Sequence, residues 1–410
     1  MHADDVVRLR LSRQQLRPPR AVSAEAAVKN LLAVQSQEFS YARWSLAQRT
    51  AGASAADVEQ AVADGRILRT HILRPTWHFV HRDDLRWLLM LSAPRLHQGN
   101  AGMYRQAGID AEAASRSARV LAAAVAGGAH KTREQLAAAL QRNGFAAKGL
   151  ELAYLIMHAE ISGVLASGTP VRSTGGALKQ TYALFDERVP VASGGPADRP
   201  AALAELVRRY FLSRGPATVK DCADWSGLTV TDVRQGLGLT LEADPGVLGT
   251  ATLDDIEFHF SSAEPGYGGL ADSAPGQDAE SGRQPRIDLI QCYDEYVMGY
   301  SRSRYFLGGT APARPERDTP MHVVLKNGQM IGSWRHELAG GRCELDIRTG
   351  PEPDAAAERD TSRAIDEAVA AYGAFLGIPT APFGSERYEA AWLPRSNAGR
   401  EPGVKLKGHF

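Results

Sequence analysis

Three cysteines in 410 residues, Cys222, Cys292 and Cys343, stand far apart with no CxxC pair. That spacing excludes a disulfide framework and a zinc knuckle. No run approaches the ~18 consecutive apolar residues of a membrane span. A GxxxxGK[ST] phosphate loop, an HExxH helix and a GxSxG elbow are all missing, so nucleotide-driven, zinc-dependent and α/β-hydrolase chemistry have no sequence support. His71, His78 and His81 cluster in sequence. They lack a carboxylate or thiolate at ligand spacing, so neither a metal site nor a cofactor is expected. Asp4 and Asp5 stand where a signal peptide would carry basic residues before an apolar run. The sequence therefore reads as cytoplasmic, thiol-reduced and without a membrane segment.

What is present suits a globular protein of two to three domains, with 44% hydrophobic and 23% charged residues. The formal net charge is zero, but it is unevenly placed. Residues 1–240 carry 30 Lys and Arg against 21 Asp and Glu, a net of +9, and residues 241–410 carry 17 against 26, a net of −9. A basic front is compatible with a polyanionic partner and equally with uneven surface decoration.

The chain order repeats. Residues 116–142 read as two helices, the second opening at Thr132, and a third follows at 149–162, ending at Gly163. Two apolar runs, 164–167 and 180–185, then flank a Gly/Ser/Thr-rich tip, which is the order of a winged helix. The pattern returns as helices at 201–215, 216–227 and 228–237 with alternating runs over 247–260. In folds of this kind the third helix usually enters the major groove, although winged helices also serve as protein–protein modules. The first hundred residues, with helices near 5–15, 23–37, 54–64 and 82–92 around an extended stretch at 67–80, suit a third, divergent copy. Residues 263–286 are poor in large apolar side chains and read as a loop or linker. Beyond them the texture is β, with a hairpin turn at Asn327-Gly328, and a helix at 361–376 follows. The expected architecture is mainly α with β: units at 1–112, 113–190 and 200–262, the linker, and a β-barrel-like domain over 287–410.

Two stretches stand out chemically. In 31–49, Gln35 and Gln37 follow an apolar helix face and precede Glu38, Arg43 and Arg49. Residues i and i+2 of a regular helix point about 200° apart, so the two amides share a pocket only if the helix ends or distorts there. In 67–80, read as a strand, Arg74, Thr76 and His78 share one face, opposite Leu73, Trp77 and Phe79. Such a row suits contacts to phosphate or a base edge, or simply a structural hydrogen-bond pattern.

The segments VQSQ (34–37), THILRPTWHFV (70–80), GPATVKDCADWSGLT (215–229), CYDEYVMGYSRSR (292–304) and VVLKNGQMIGSWRHEL (323–338) together resemble the bacterial AlkZ/AlkX-type winged-helix DNA glycosylases. The resemblance implies three winged-helix units and a β-barrel around a C-shaped DNA channel. It also implies excision of N7-alkylated purines without a cofactor and, in some members, unhooking of interstrand crosslinks as antibiotic self-resistance. The family's Gln-x-Gln/Asp signature falls on Gln35 and Gln37, with Ser36 between them, which marks the Gln–Gln branch. Gln37 is expected to position water and Gln35 to orient it or the sugar, or the reverse. Expected contacts to double-stranded DNA come from Arg8, Arg10, Arg13, Arg17 and Arg20, then Arg43, Arg69, Arg74, Thr76 and His78, by a protein acting as a monomer. The Asp294–Glu295–Tyr296 run matches the family motif, and a buried structural network would account for it equally well. The alternative is a non-catalytic winged-helix regulator or lesion shield, which would have no use for the glutamine pair.

Overall fold

Side-chain caps set many of the helix starts. Ser23, Ser54, Asp110, Thr132, Asp198, Thr218 and Thr229 each accept a hydrogen bond from a backbone N–H of the first turn they precede, satisfying donors that the helix cannot. The architecture comes from a computed structural model, which describes residues 1–173, 178–191, 195–263, 284–308 and 322–382.

After α1 (Ala3–Arg13), the first unit runs α2 (Ala24–Leu31), β1 (Ala33–Gln35), α3 (Phe39–Ala47), α4 (Ala55–Ala63), β2 (Ile67–His71) and β3 (Trp77–His81), with strand order β1-β3-β2. The long α5 (Leu85–Gln106) leads into the second unit. This holds α6 (Ala111–Val125), β4 (Lys131–Thr132), α7 (Arg133–Arg142), α8 (Gly149–Ile161), β5 (Leu165–Ser167), a hairpin extension of β6 (Val171–Arg172) and β7 (Leu178–Lys179), and β8 (Thr181–Leu184). Its strand order, β4-β8-β5, repeats that of the first. After α9 (Phe185–Arg188) come α10 (Arg199–Arg214), α11 (Val219–Ser226), α12 (Val230–Ala243), β9 (Leu248–Leu253) and β10 (Ile256–Ser261). Ala217 bridges His259 of β10 where the other units have their first strand. Helix, strand, two helices and a hairpin thus recur three times, as a winged helix requires.

The remainder is β11 (Ile287–Ile290), α13 (Glu295–Met298), β12 (His322–Lys326), β13 (Gln329–Ala339), β14 (Arg342–Thr349), α14 (Ala355–Leu376) and β15 (Thr380–Pro382). The strand order β11-β12-β13-β14-β15 leaves two edges, so the expected barrel is a curled half-barrel. Asn327 and Gly328 join β12 to β13 with φ of 53° and 86°, the left-handed pair of a tight hairpin turn. The expected linker at 263–286 falls almost wholly outside the described residues.

Two local readings change. The helix expected over 23–37 stops at Leu31, where Leu32 takes φ 68° and the chain turns into β1. The extended stretch at 67–80 is a hairpin whose turn holds Leu73 and Arg74, so only Thr76 and His78 keep the predicted relation to Trp77 and Phe79. Core packing crosses the units. Leu68, Leu73 and Leu88 share one apolar cluster with Tyr210, Phe211 and Trp225 of the third unit, whereas the second unit has a cluster of its own. Helix α3 lays Tyr41 and Trp44 against Trp334, Tyr372 and Phe375 of the half-barrel region. The loop between β1 and α3 is thereby clamped from several sides. Among the described residues no helix is long and apolar enough to cross a membrane.

Candidate active site

Gln35 ends β1, opposite His78 of β3. Its backbone N–H donates to Glu295 Oε1 at 2.8 Å, and its side-chain Oε1 accepts from Arg74 Nη2 at 2.9 Å. With Oε1 engaged by the guanidinium, the amide's Nε2 is the group left to donate. Gln35 is 2% exposed, whereas Gln37, two residues on at the bend into α3, is exposed. Gln37 Oε1 accepts only a long bond, 3.3 Å, from the Trp77 N–H. Between them the Ser36 N–H donates to Trp77 O at 2.7 Å, and Ser36 O accepts from both Nε and Nη2 of Arg69 at 3.0 and 2.9 Å. One glutamine is locked from behind, the other is presented forward, and the residue between them is pinned.

The lock is a buried carboxylate supplied from 260 residues away. Glu295 Oε2 accepts from Arg214 Nη2 at 2.6 Å and from Trp225 Nε1 at 2.7 Å. Arg214 in turn donates to Leu31 O and Ala33 O at 2.8 and 2.9 Å, holding the carbonyls where α2 becomes β1. Gln291 Nε2 reaches Gln35 O at 3.5 Å. Asp294 caps α13 and forms a two-pronged pair with Arg49 at 2.8 and 2.7 Å, both side chains fully enclosed. Buried charges persist only when paired and hydrogen-bonded in this way. The Asp294–Glu295 run is this buried support, the structural network that the sequence left open as one reading. Arg214, Trp225 and Gln291 carried no signal of their own.

Two guanidiniums, Arg69 and Arg74, stand behind the glutamines, and the histidine beside them is uncharged. Burial, then the Arg74 charge, pushes His78 well below the usual histidine range, so its ring is uncharged, and its Nδ1 pairs with Thr76 O at 2.9 Å. Arg69 lies 4.3 Å over the Trp77 ring, and burial lowers it to about 10, still protonated at neutral pH. Glu38, beside Gln37, is raised by burial, and its Oε2 lies 3.8 Å from His322 Nε2. His71 pairs at 2.8 Å with the buried Glu160 rather than with any metal cluster, and no such cluster occurs among the described residues.

The structure brings Gln35, Gln37, Arg69, Arg74, Thr76 and His78 together and leaves the other expected residues elsewhere. Arg43 is half-buried in an ion pair with Glu59. Arg10 is enclosed, donating to Pro216 O and to the Ser303 carbonyl and hydroxyl. Arg13 donates to Ser261 O at 2.9 Å. Arg17 grips Asp288 through two bonds of 3.0 and 2.8 Å, and Arg20 is half-buried close to Arg286 and Asp288. Arg10, Arg13 and Arg17 are thus bonded to groups of the third unit and the half-barrel region, a correction to the expectation that they point to DNA. Arg8 alone of the five is exposed, beside Asp5.

A family model described as DNA glycosylase AlkZ-like matches residues 28–375. Among solved structures, the Streptomyces sahachiroi DNA glycosylase AlkZ shares the fold with a TM-score of 0.67, at 20% identity over 93% of this chain and 99% of that one. No curated protein matches the sequence.

Proposed function

The chain belongs to the AlkZ-like DNA glycosylase family, a hydrolase of N-glycosyl bonds in DNA, and we propose that it releases N7-alkylated purines from double-stranded DNA, unhooking crosslinked ones and leaving an abasic site. An N7-alkylguanine carries a positive charge, so its glycosidic bond is already weakened and the base departs neutral. The remaining work is to hold a water against C1′ and to stabilise an oxocarbenium-like sugar. Neutral amides fixed in place suffice for that, because preorganised dipoles need no reorganisation at the moment of reaction.

The observation that carries this reading is the division between the two glutamines. Gln37 is exposed and its Oε1 is only weakly engaged, so we assign it the water. Gln35 is turned by Arg74 so that Nε2 faces away from the guanidinium, and we assign it to orienting that water or the sugar. Arg74 fixes the orientation of that amide, and the neutral His78 adds no further positive charge beside a developing oxocarbenium. The protein works as a monomer, without metal or cofactor, in the cytoplasm. Lysine at the site would suggest strand cleavage through a Schiff base, but Lys29 pairs with Asp84 at 3.1 Å.

The test is base release from a duplex holding one N7-methylguanine, followed by alkaline cleavage of the abasic site. Gln37→Ala and Gln35→Ala should each lower the single-turnover rate by about 10²-fold, the scale of one lost transition-state donor, with duplex affinity retained. Release that survives both substitutions removes this site. Absence of release by the unaltered protein, on methylated and crosslinked duplex alike, leaves the non-catalytic DNA-binding alternative.

A further inference from the structure

The third helix of each winged-helix unit is poor in cations. Neither α4 nor α8 contains a lysine or arginine, and α12 contains only Arg234, alongside Asp232 and Glu242. Arg10, Arg13 and Arg17 are held inward. Phosphate contacts near the candidate site therefore need another source, and one lies in the acidic half of the chain.

Directly after α13, whose Glu295 holds Gln35, the chain runs Tyr300-Ser301-Arg302-Ser303-Arg304-Tyr305-Phe306. Its backbone is fixed from inside. Ser301 N–H and Ser303 N–H both donate to Asp221 Oδ1, at 2.8 and 3.0 Å, and the Ser303 hydroxyl donates to Asp221 Oδ2. The Arg10 guanidinium holds the Ser303 carbonyl from the other side and lies 3.7 Å over the Tyr300 ring. Phe306 is buried. Arg302, Arg304 and Tyr305, alternating with these anchors, face out, and Tyr305 is 51% exposed while its ring rests 4.3 Å from that of Phe306. Arg304 Nε donates to Tyr300 O at 2.9 Å, which directs its guanidinium along the segment. The helix that holds this segment, α11, through Asp221 and Asp224, ends at Gly227 against Leu73, the neighbour of Arg74, which orients Gln35.

We propose that this segment is a preformed DNA clamp beside the active site: Arg302 and Arg304 bind backbone phosphates flanking the target nucleotide, and Tyr305 stacks on a base or sugar displaced next to it. The inference rests on the glycosylase reading for what the clamp serves, but its own content is DNA contact. Rigid presentation matters, since arginines held by their backbone lose less freedom on binding than side chains on a mobile loop. Aromatic stacking next to phosphate contacts is the usual way to hold an unpaired nucleotide.

The test uses the full chain and an undamaged duplex, with affinity measured by anisotropy across a range of sodium chloride concentrations. Each phosphate contact adds about 0.9 to the slope of log K against log salt. Arg302→Ala with Arg304→Ala should therefore flatten the slope by roughly 2 and weaken binding at low salt. The double lysine variant should restore the slope, because a phosphate contact needs the charge. On a second duplex, carrying a single abasic site, Tyr305→Phe should retain, and Tyr305→Ala lose, the quenching of a 2-aminopurine placed beside that site. Thermal midpoints matching the parent show that the fold is intact. An unchanged slope in a folded alanine variant overturns the clamp while base release, measured on the same samples, keeps the glycosylase reading. Failure of the unaltered protein to bind duplex overturns both.

Discussion

Glu295 ties three regions to one amide. Its carboxylate takes donors from Gln35, Arg214 and Trp225, so replacing it strands a buried guanidinium and frees the strand that carries Gln35. Glu295→Ala should cost about 3–5 kcal/mol of stability, the usual effect of breaking a buried pair by removing one partner. Chemical denaturation would read that loss. In the fraction that folds, the rate of base release should fall while duplex affinity holds, because the residue acts by positioning Gln35 rather than by touching DNA. Equal losses of affinity and rate would contradict that role. Glu295→Gln keeps an acceptor for Gln35 but presents an N–H₂ to other donors, so it should be intermediate in stability.

The β2–β3 hairpin is the element that carries Arg74, and its turn leans on the end of α11. Gly227 closes that helix with φ 71°, and a Cβ there would meet Leu73 O at 2.6 Å. Both the left-handed backbone and the close approach require glycine. Gly227→Ala should destabilise the protein by about 1–3 kcal/mol through strain and should slow base release, since Leu73 directly precedes Arg74. The pair of measurements is a denaturant midpoint and a single-turnover rate. A stable variant of full activity would show that the turn is not braced by α11. The same hairpin shows how an element's sequence pattern can mislead. Alternation over 67–80 looks continuous, yet Leu73 sits at φ 61° and breaks it. A non-glycine residue in that conformation leaves no mark on hydrophobic periodicity.

Across the whole molecule, stability should depend on acid. Burial holds His158, His322 and His336 at about 4, against 6.5 for an exposed ring. These depressed values mean that the unfolded chain takes up protons that the folded chain resists. The stabilisation is complete above about 6.5 and is lost progressively as the pH falls toward 4. For His322 the structural consequence is explicit: its Nδ1 accepts from the Cys292 N–H at 3.1 Å, a bond that protonation removes. Urea midpoints should fall steadily from pH 7 to 4.5, a loss on the order of a few kcal/mol, and His322→Gln should make that fall shallower. A flat profile would show that these rings are solvated. The three histidines lie on α8 and the half-barrel, so the loss is shared between the second unit and the C-terminal sheet.

Much of the fold was legible because its signals are local. Thr132 starts its helix where the sequence places it, and Thr218 and Thr229 cap theirs by the same local geometry, since a cap needs only its next three residues. The Asn327-Gly328 turn follows from two residues that tolerate positive φ. The recurrence of three helices and a hairpin follows from spacing, whereas the Gln-x-Gln pair stands out only through the family resemblance. Tertiary structure alone decided what those letters do. Periodicity cannot tell an arginine facing solvent from one covered by a segment 200 or more residues away, as Arg10 is by Pro216 and Ser303. Nor can any window of sequence anticipate that the Gln35 N–H meets the Glu295 carboxylate. That contact depends on how the first unit, the third unit and the half-barrel region pack, and a buried carboxylate is stable only where all of its donors converge.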